Sequence, residues 1–292
     1  LEPRSVLRDN KGKVILELAS PDLKRLYEMG WKKPERFTVK ARDGVTDLYG
    51  VMWKPVDFDS TKTYPVISYV YPGPQSEAVP FDFTVTGAYN MALAQVGFIV
   101  VNFGHRGGSP QRDKWYHTYG YDRLRDYALA DDKYGIEQLA DRFPFIDRSK
   151  VGIFGHSGGG FMSTAALCTY PDFYTAAVSS SGNHDNNIYN QWWGETHNGV
   201  KETEKTVKDS VKGNYEESTF KSKIATNAEL ARNFKGYLLL VTGDIDNNVH
   251  PGNTFRMANA LIQAGKNFDL IVLPGQRHGY QSVSYTHLRA HE

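Results

Sequence analysis

The chain has 292 residues, 40% of them hydrophobic, with 34 Lys and Arg against 33 Asp and Glu. That is enough apolar material for one large α/β domain or two small ones, and it excludes a disordered chain. The net charge of +1 gives no global field toward nucleic acid or an anionic membrane surface, and no apolar run reaches the ~18 residues of a membrane-spanning helix.

Leu1-Glu2-Pro3-Arg4 carry no signal-peptide pattern. Residues 1 to 30 read as short β-like and turn-rich pieces with a polar entry at 21–23 into a short helix, too little for a domain. Two alternating strands, 37–40 and 48–53, meet across the hairpin signal Asp43-Gly44. Residues 66–70 suit a buried strand, residues 84–95 predict a helix, and residues 97–102 give another buried strand. After the loop 103–109 and a polar aromatic stretch to Tyr121, a stripe of Leu129, Ile136, Leu139, Ala140 and Phe143 predicts an amphipathic helix over 122–143.

Val151-Gly152-Ile153-Phe154 then runs into Gly155-His156-Ser157-Gly158-Gly159, which reads as strand, sharp turn, helix. Glycines on both sides of such a turn let strand and helix approach where a Cβ would clash, while Ser157 is held exposed. The helix carries Cys168, the one cysteine of the chain, expected as a small buried apolar residue. A strand at 174–179 follows. Residues 183–235 hold Tyr189, Trp192, Trp193 and a charge-alternating run, 201–212, expected as a solvated helix or loop. A strand at 237–241, a helix at 252–264, a strand at 268–273 and a loop at 274–279 complete the series. Strands alternating with helices predict an α/β fold with a mostly parallel central sheet and helices on both faces.

A hydroxyl is a poor nucleophile at neutral pH and needs a base beside it and an acid to orient that base. In an α/β-hydrolase fold the three follow in the order Ser, Asp, His, each on a loop at the carboxyl end of a strand. Ser157, Asp246 and His278 have that order and placement. Asp244 shares the acid loop but comes immediately after Gly243, where the turn is still closing, so Asp246 is preferred. His156 neighbours the serine, yet consecutive residues on a sharp turn point apart, which leaves it a packing or polar contact beneath the turn. His105, His117, His184, His197 and His250 lack strand-end placement opposite the serine, and no closely spaced ligand set predicts a metal. No cofactor is expected. The backbone N–H of Gly158 is one oxyanion donor by position. The second should come from the loop after the 66–70 strand, where Pro72 and Pro74 lack N–H groups and the Tyr71 hydroxyl can serve.

These residues resemble the prolyl oligopeptidase family of serine peptidases, in particular its dipeptidyl-peptidase IV branch, from about Phe37 to Tyr280. Tyr71-Pro72-Gly73-Pro74 resembles the loop with that branch's oxyanion tyrosine, and Gly104-His105-Arg106-Gly107-Gly108 its glycine-rich loop. Gly155 to Gly160 resembles its nucleophile turn, with His156 and Gly158 where the branch has aromatics. Asp246-Asn247-Asn248-Val249-His250 is similar to its acid loop, which implies that Asn248 helps hold a substrate carbonyl; His278-Gly279 is similar to its base. The resemblance implies that Tyr189 lines a proline pocket, with Trp192 and Trp193 replacing a second tyrosine. It further implies a serine-type peptidase that cleaves short peptides after Pro or Ala through an acyl-enzyme. A possible homodimer and a bacterial setting outside the cytoplasm are implied with it.

Family members carry an N-terminal β-propeller, so residues 1–30 are expected as a remnant of that region and linker, with 31–281 as the catalytic domain. Residues 283–292 are what GTC TCT TAT ACA CAT CTC CGA GCC CAC GAG encodes, which resembles a transposase-type sequencing adapter, so 282–292 is expected to be a non-native tail. Two alternative readings remain: a carboxylesterase or acylaminoacyl-type hydrolase, and a non-catalytic hydrolase-fold binding module.

Overall fold

A computed structural model describes residues 2–74, 76–87, 89–221 and 223–280, so the expected tail at 282–292 lies outside the described residues. In chain order the elements are β1 (Ser5–Arg8), β2 (Val14–Ala19), α1 (Lys24–Glu28), β3 (Glu35–Lys40), β4 (Asp47–Trp53), β5 (Tyr64–Tyr69), α2 (Asn90–Gln95), β6 (Ile99–Phe103), α3 (Lys114–Thr118) and α4 (Leu129–Arg142). They continue with β7 (Ile146–His156), α5 (Gly158–Thr169), β8 (Tyr174–Ser180), α6 (Gln191–Asn198), β9 (Lys201–Asp209), β10 (Gly213–Lys221), β11 (Tyr237–Gly243), α7 (Gly252–Gln263) and β12 (Asp269–Leu273).

Eight strands form one sheet in the order β12-β11-β8-β7-β5-β6-β4-β3. The six from β12 to β6 run parallel, and β4 pairs antiparallel with both β6 and β3. This is the α/β-hydrolase arrangement expected from the alternation of elements. From β5 the chain crosses through α2 to β6 on one side, whereas β7 lies on the other side and leads through α5 to β8. The crevice between the carboxyl ends of β5 and β7 is therefore a topological switch point, where open α/β sheets place their sites.

Alternation along each strand explains the two layers. In β6, Ile99, Val101 and Phe103 join the large core with Ile136 and Leu139 of α4, Met162 and Leu167 of α5 and Leu261 of α7. Val100, pointing the other way, packs with Val51, Trp53 and Ala94 under α2. The second face is less covered: Ile67, Phe154 and Val178 line an open apolar groove of about 540 Å³ beside Leu93 and Val96.

A buried polar knot ties α4 to the sheet. Asp132 Oδ1 accepts from Ser68 Oγ at 2.8 Å and lies 3.1 Å from His105 Nε2, and Asp132 Oδ2 accepts from the Tyr174 hydroxyl at 2.7 Å. Asp131 receives Arg106 Nη2 and Nε at 2.7 and 2.9 Å, a fork that fixes the glycine-rich loop.

Three expectations are corrected. The helix predicted over 84–95 is reduced to α2, because Thr84 Oγ1 accepts the Gly87 N–H and Gly87 takes φ +54°, a turn that competes with the helix. The helix predicted over 122–143 begins only at Leu129, after Asp122 at φ 67°. The charged run is a β-hairpin: Tyr215 faces Val207, Lys205 faces Glu217, and Thr203 faces Thr219 with their hydroxyls 2.8 Å apart. Its turn is set by Asp209 Oδ1, which accepts from the N–H groups of Val211 and Lys212, and by Gly213 at φ +76°.

Candidate active site

Ser157 stands between β7 and α5 at φ 58°, ψ −120°, a conformation that an L-residue adopts only where its surroundings over-determine it. Here they do. Its N–H donates to Ser180 O of β8 at 2.8 Å, and its carbonyl accepts from Phe161 N at 3.0 Å, starting α5. A Cβ on Gly159 would lie 2.0 Å from Val70 O and one on Gly155 2.4 Å from the same atom, so the close crossing of β5, β7 and α5 requires glycine at both. Gly158 differs: a Cβ there would meet nothing nearer than 3.9 Å. Its N–H belongs to the first helical turn, which has no intrahelical acceptor and carries the positive end of the α5 dipole.

The loop that leaves β11 carries Asp246. Asp246 is 2% exposed, and its Oδ1 accepts from the N–H groups of Asn248 and Val249, each at 2.9 Å. That leaves Oδ2 for His278 Nδ1 at 2.7 Å. Asp244 turns elsewhere and accepts from Gly275 N at 2.6 Å, so it braces the loop from β12 that carries His278. The His278 ring packs 4.6 Å from His156, centroid to centroid, which sets it beside the nucleophile turn. Burial, and then the neighbouring His278, push the His156 imidazole down to about 4, so it is neutral at ordinary pH.

The loop after β5 places Tyr71 beside Ser157, the two side chains lining the same cavity. Burial, followed by the nearby Tyr189, raises the Tyr71 phenol above its usual value, which keeps it protonated as a donor. Distant residues aim this loop: Tyr127 donates to Pro72 O at 2.8 Å, Asn102 Nδ2 to Tyr69 O at 2.8 Å, and Tyr116 to Glu77 Oε1 at 2.6 Å.

A cavity of about 330 Å³ opens at Ser157 and Gly158, walled by Tyr71, Leu124, Tyr189 and Trp193 with Asn183 among its lining. Tyr189 donates to Asn248 Oδ1 at 2.9 Å and meets Trp193 edge to face at 5.5 Å. Trp193 in turn lies 4.9 Å from the ring of His197, whose Nδ1 is 2.8 Å from Trp193 O. Trp192 departs from the expectation: it is 59% exposed and does not line the cavity, because one helical step turns it away.

The remaining described histidines hold the scaffold. His105 joins Asp132, His117 Nδ1 is 2.8 Å from Gly108 O, His184 is buried against Asn227, and His250 Nδ1 accepts from Gly252 N at the start of α7. Among the described residues no group of three or more His, Cys, Asp or Glu side chains is placed to hold a metal, and no helix is long and apolar enough to cross a membrane. Cys168 is buried, with its thiol pushed up to about 12 by burial, which makes it inert. Asn183, Tyr127, Ser180 and Tyr280 were not singled out from sequence. Only the aromatic density of residues 115–127 hinted at the bracing of the Tyr71 loop.

The prolyl oligopeptidase family profile matches residues 85–292. Human dipeptidyl peptidase 8 is 30% identical over 246 residues, covering 84% of this chain and 26% of that protein. Mouse prolyl endopeptidase FAP is 29% identical over 253 residues, or 86% and 31% of the two chains. The chain thus spans about a quarter to a third of these relatives. The solved structure of a putative dipeptidyl aminopeptidase IV from Bacteroides ovatus superposes with a TM-score of 0.81 at 28% identity, covering 99% of this chain and 39% of that one.

Proposed function

This chain belongs to the prolyl oligopeptidase family, and from that premise we propose that it is a serine-type peptidase domain acting on short peptides. The observation that carries the reading is the Asp246 carboxylate 2.7 Å from His278 Nδ1, with a serine held at positive φ that shares its cavity with a tyrosine. Ser157 Oγ attacks the substrate carbonyl carbon as His278 takes its proton, and Asp246 holds the imidazole in its tautomer. The Gly158 N–H and the Tyr71 hydroxyl stabilise the oxyanion. His278 then protonates the leaving amine, and water, deprotonated by the same base, hydrolyses the acyl-enzyme. Asn248 spends its Oδ1 on Tyr189, which leaves its Nδ2 to hold a substrate carbonyl.

The aromatic walls and the modest volume of the cavity suit Pro or Ala at the cleaved position. Residues 31–281 form the catalytic domain in this reading. Residues 1–30 belong to a separate preceding region, consistent with β1 and β2 pairing only with each other. A homodimer is tested by light scattering of the purified chain.

The direct experiment is labelling with a fluorophosphonate probe, with and without Ser157→Ala. Labelling is expected in the native chain and lost in the variant; labelling that survives the substitution overturns the proposal. Cleavage of Gly-Pro and Ala anilides against p-nitrophenyl esters then separates a peptidase from an esterase.

A further inference from the structure

Behind the base lies a closed set of contacts that the acyl-transfer steps do not use. The His156 ring lies 4.6 Å from His278 at 55° and 5.6 Å from Tyr280 at 88°. His156 Nδ1 is 2.9 Å from Ser180 Oγ, and Ser180 Oγ donates to the Tyr280 hydroxyl oxygen at 3.0 Å. That same oxygen is 2.8 Å from Ser181 Oγ, and the Tyr280 hydroxyl donates to Val241 O at 3.3 Å. Meanwhile Ser180 O accepts the Ser157 N–H at 2.8 Å. The carboxyl end of β8 therefore holds the nucleophile through its backbone and the base loop through its side chains.

We propose that His156 is a positioning residue for His278, a ring against which the imidazole packs, and that Ser180 and Tyr280 clamp that ring and the base loop in register. The proposal rests on the reading of His278 as the base. The physical need is plain. Asp246 holds His278 by one ring nitrogen, and a single hydrogen bond leaves the ring free to swing about it. A packed ring removes that swing, which matters because a misplacement of about 1 Å can cost about 10²-fold in rate. Before the base the loop is held by Asp244 at Gly275 and by the Ile245 N–H at Gln276 O, whereas Gly279 follows the base directly. Tyr280, two residues beyond His278, supplies the tie on that side. Histidine suits position 156 because its ring packs against His278 while its Nδ1 reaches Ser180 Oγ.

The test reads kcat, KM and the fluorophosphonate labelling rate of Ser157 in the full chain, with melting curves as a check on folding. His156→Ala should lose about 10²-fold in kcat and in labelling rate, with KM within about twofold because His156 is not among the residues lining the cavity. His156→Phe keeps a ring there and should recover most of that loss. Native-like labelling of folded His156→Ala, or a His156→Phe variant as slow as His156→Ala, overturns the proposal. Should His156→Ala fail to fold, Tyr280→Phe carries the test, because it keeps every ring and removes only the hydroxyl ties. It should label about tenfold more slowly, and a native rate overturns the clamp. Failure of the folded native chain to label at all overturns the serine-hydrolase reading itself, and the base assignment with it. The native rate thus judges the function, and the ratio of variant to native judges the positioning role.

Discussion

The reacting half of the site and its specificity half share Ser157 but are held by different means. On the reacting side the main chain holds the nucleophile and the acid: Ser157 by Ser180 O, Asp246 by two backbone N–H groups, and the strand crossing by glycines that admit no Cβ. On the specificity side, side chains hold side chains: Tyr189 on Asn248, Trp193 on Tyr189 and His197. Backbone constraints leave few alternatives, so the reacting geometry tolerates little change. Side-chain packing can be re-cut by single substitutions, and Gly158, with 3.9 Å of clearance, is the place where the cavity could most readily be narrowed.

The largest effect should come from Asp246→Asn, with kcat falling about 10⁴-fold for every acyl substrate alike, because the amide fixes the wrong imidazole tautomer. Asp244→Asn, which loosens only the Gly275 brace, should stay within about tenfold. Equal losses in the two variants would erase the distinction between the two carboxylates.

Tyr71→Phe should cost about 10²- to 10³-fold in kcat, the usual effect of removing one oxyanion donor. Its reading is sharpened by an ester series: a loss that varies strongly with the acyl group would move Tyr71 from the reacting half to the specificity half.

Beneath both halves sits His184, buried and held down to about 3 by desolvation. Its folded value lies below its unfolded value of about 6.5, so between the two the unfolded chain binds a proton that the folded chain refuses. Stability from this group is therefore full above about pH 6.5 and lost as pH falls toward 3, on the order of 3 kcal/mol by pH 4. Urea melts of the native chain and His184→Gln across that range should diverge near neutrality and converge in acid. Parallel profiles would show that His184 does not titrate this way.

The smallest effects belong to the specificity half. Trp193→Ala and Gly158→Phe should each change kcat/KM by about tenfold or less, but in opposite directions for large and small residues at the cleaved position. A uniform loss across substrates would mean that these positions serve the reaction rather than its selectivity.

Local pattern carried much of this protein into view. The strand, turn and helix around Ser157, the β3–β4 hairpin at Asp43-Gly44 and the parallel series of buried strands were legible because period and glycine placement act over a few residues. The succession of Ser157, Asp246 and His278 at strand ends was legible for the same reason. What only the tertiary structure decided depends on residues remote in sequence. The alternating Thr, Val and Tyr of β9 and β10 were hidden among charges until the two strands paired. The choice of Trp193 over Trp192 turned on where α6 docks. The meeting of His156 with His278 and Tyr280, more than a hundred residues later, could not be read from a turn whose neighbouring side chains were expected simply to diverge. Short-range sterics write themselves into sequence; contacts made by packing distant strand ends against one another exist only once the sheet has assembled.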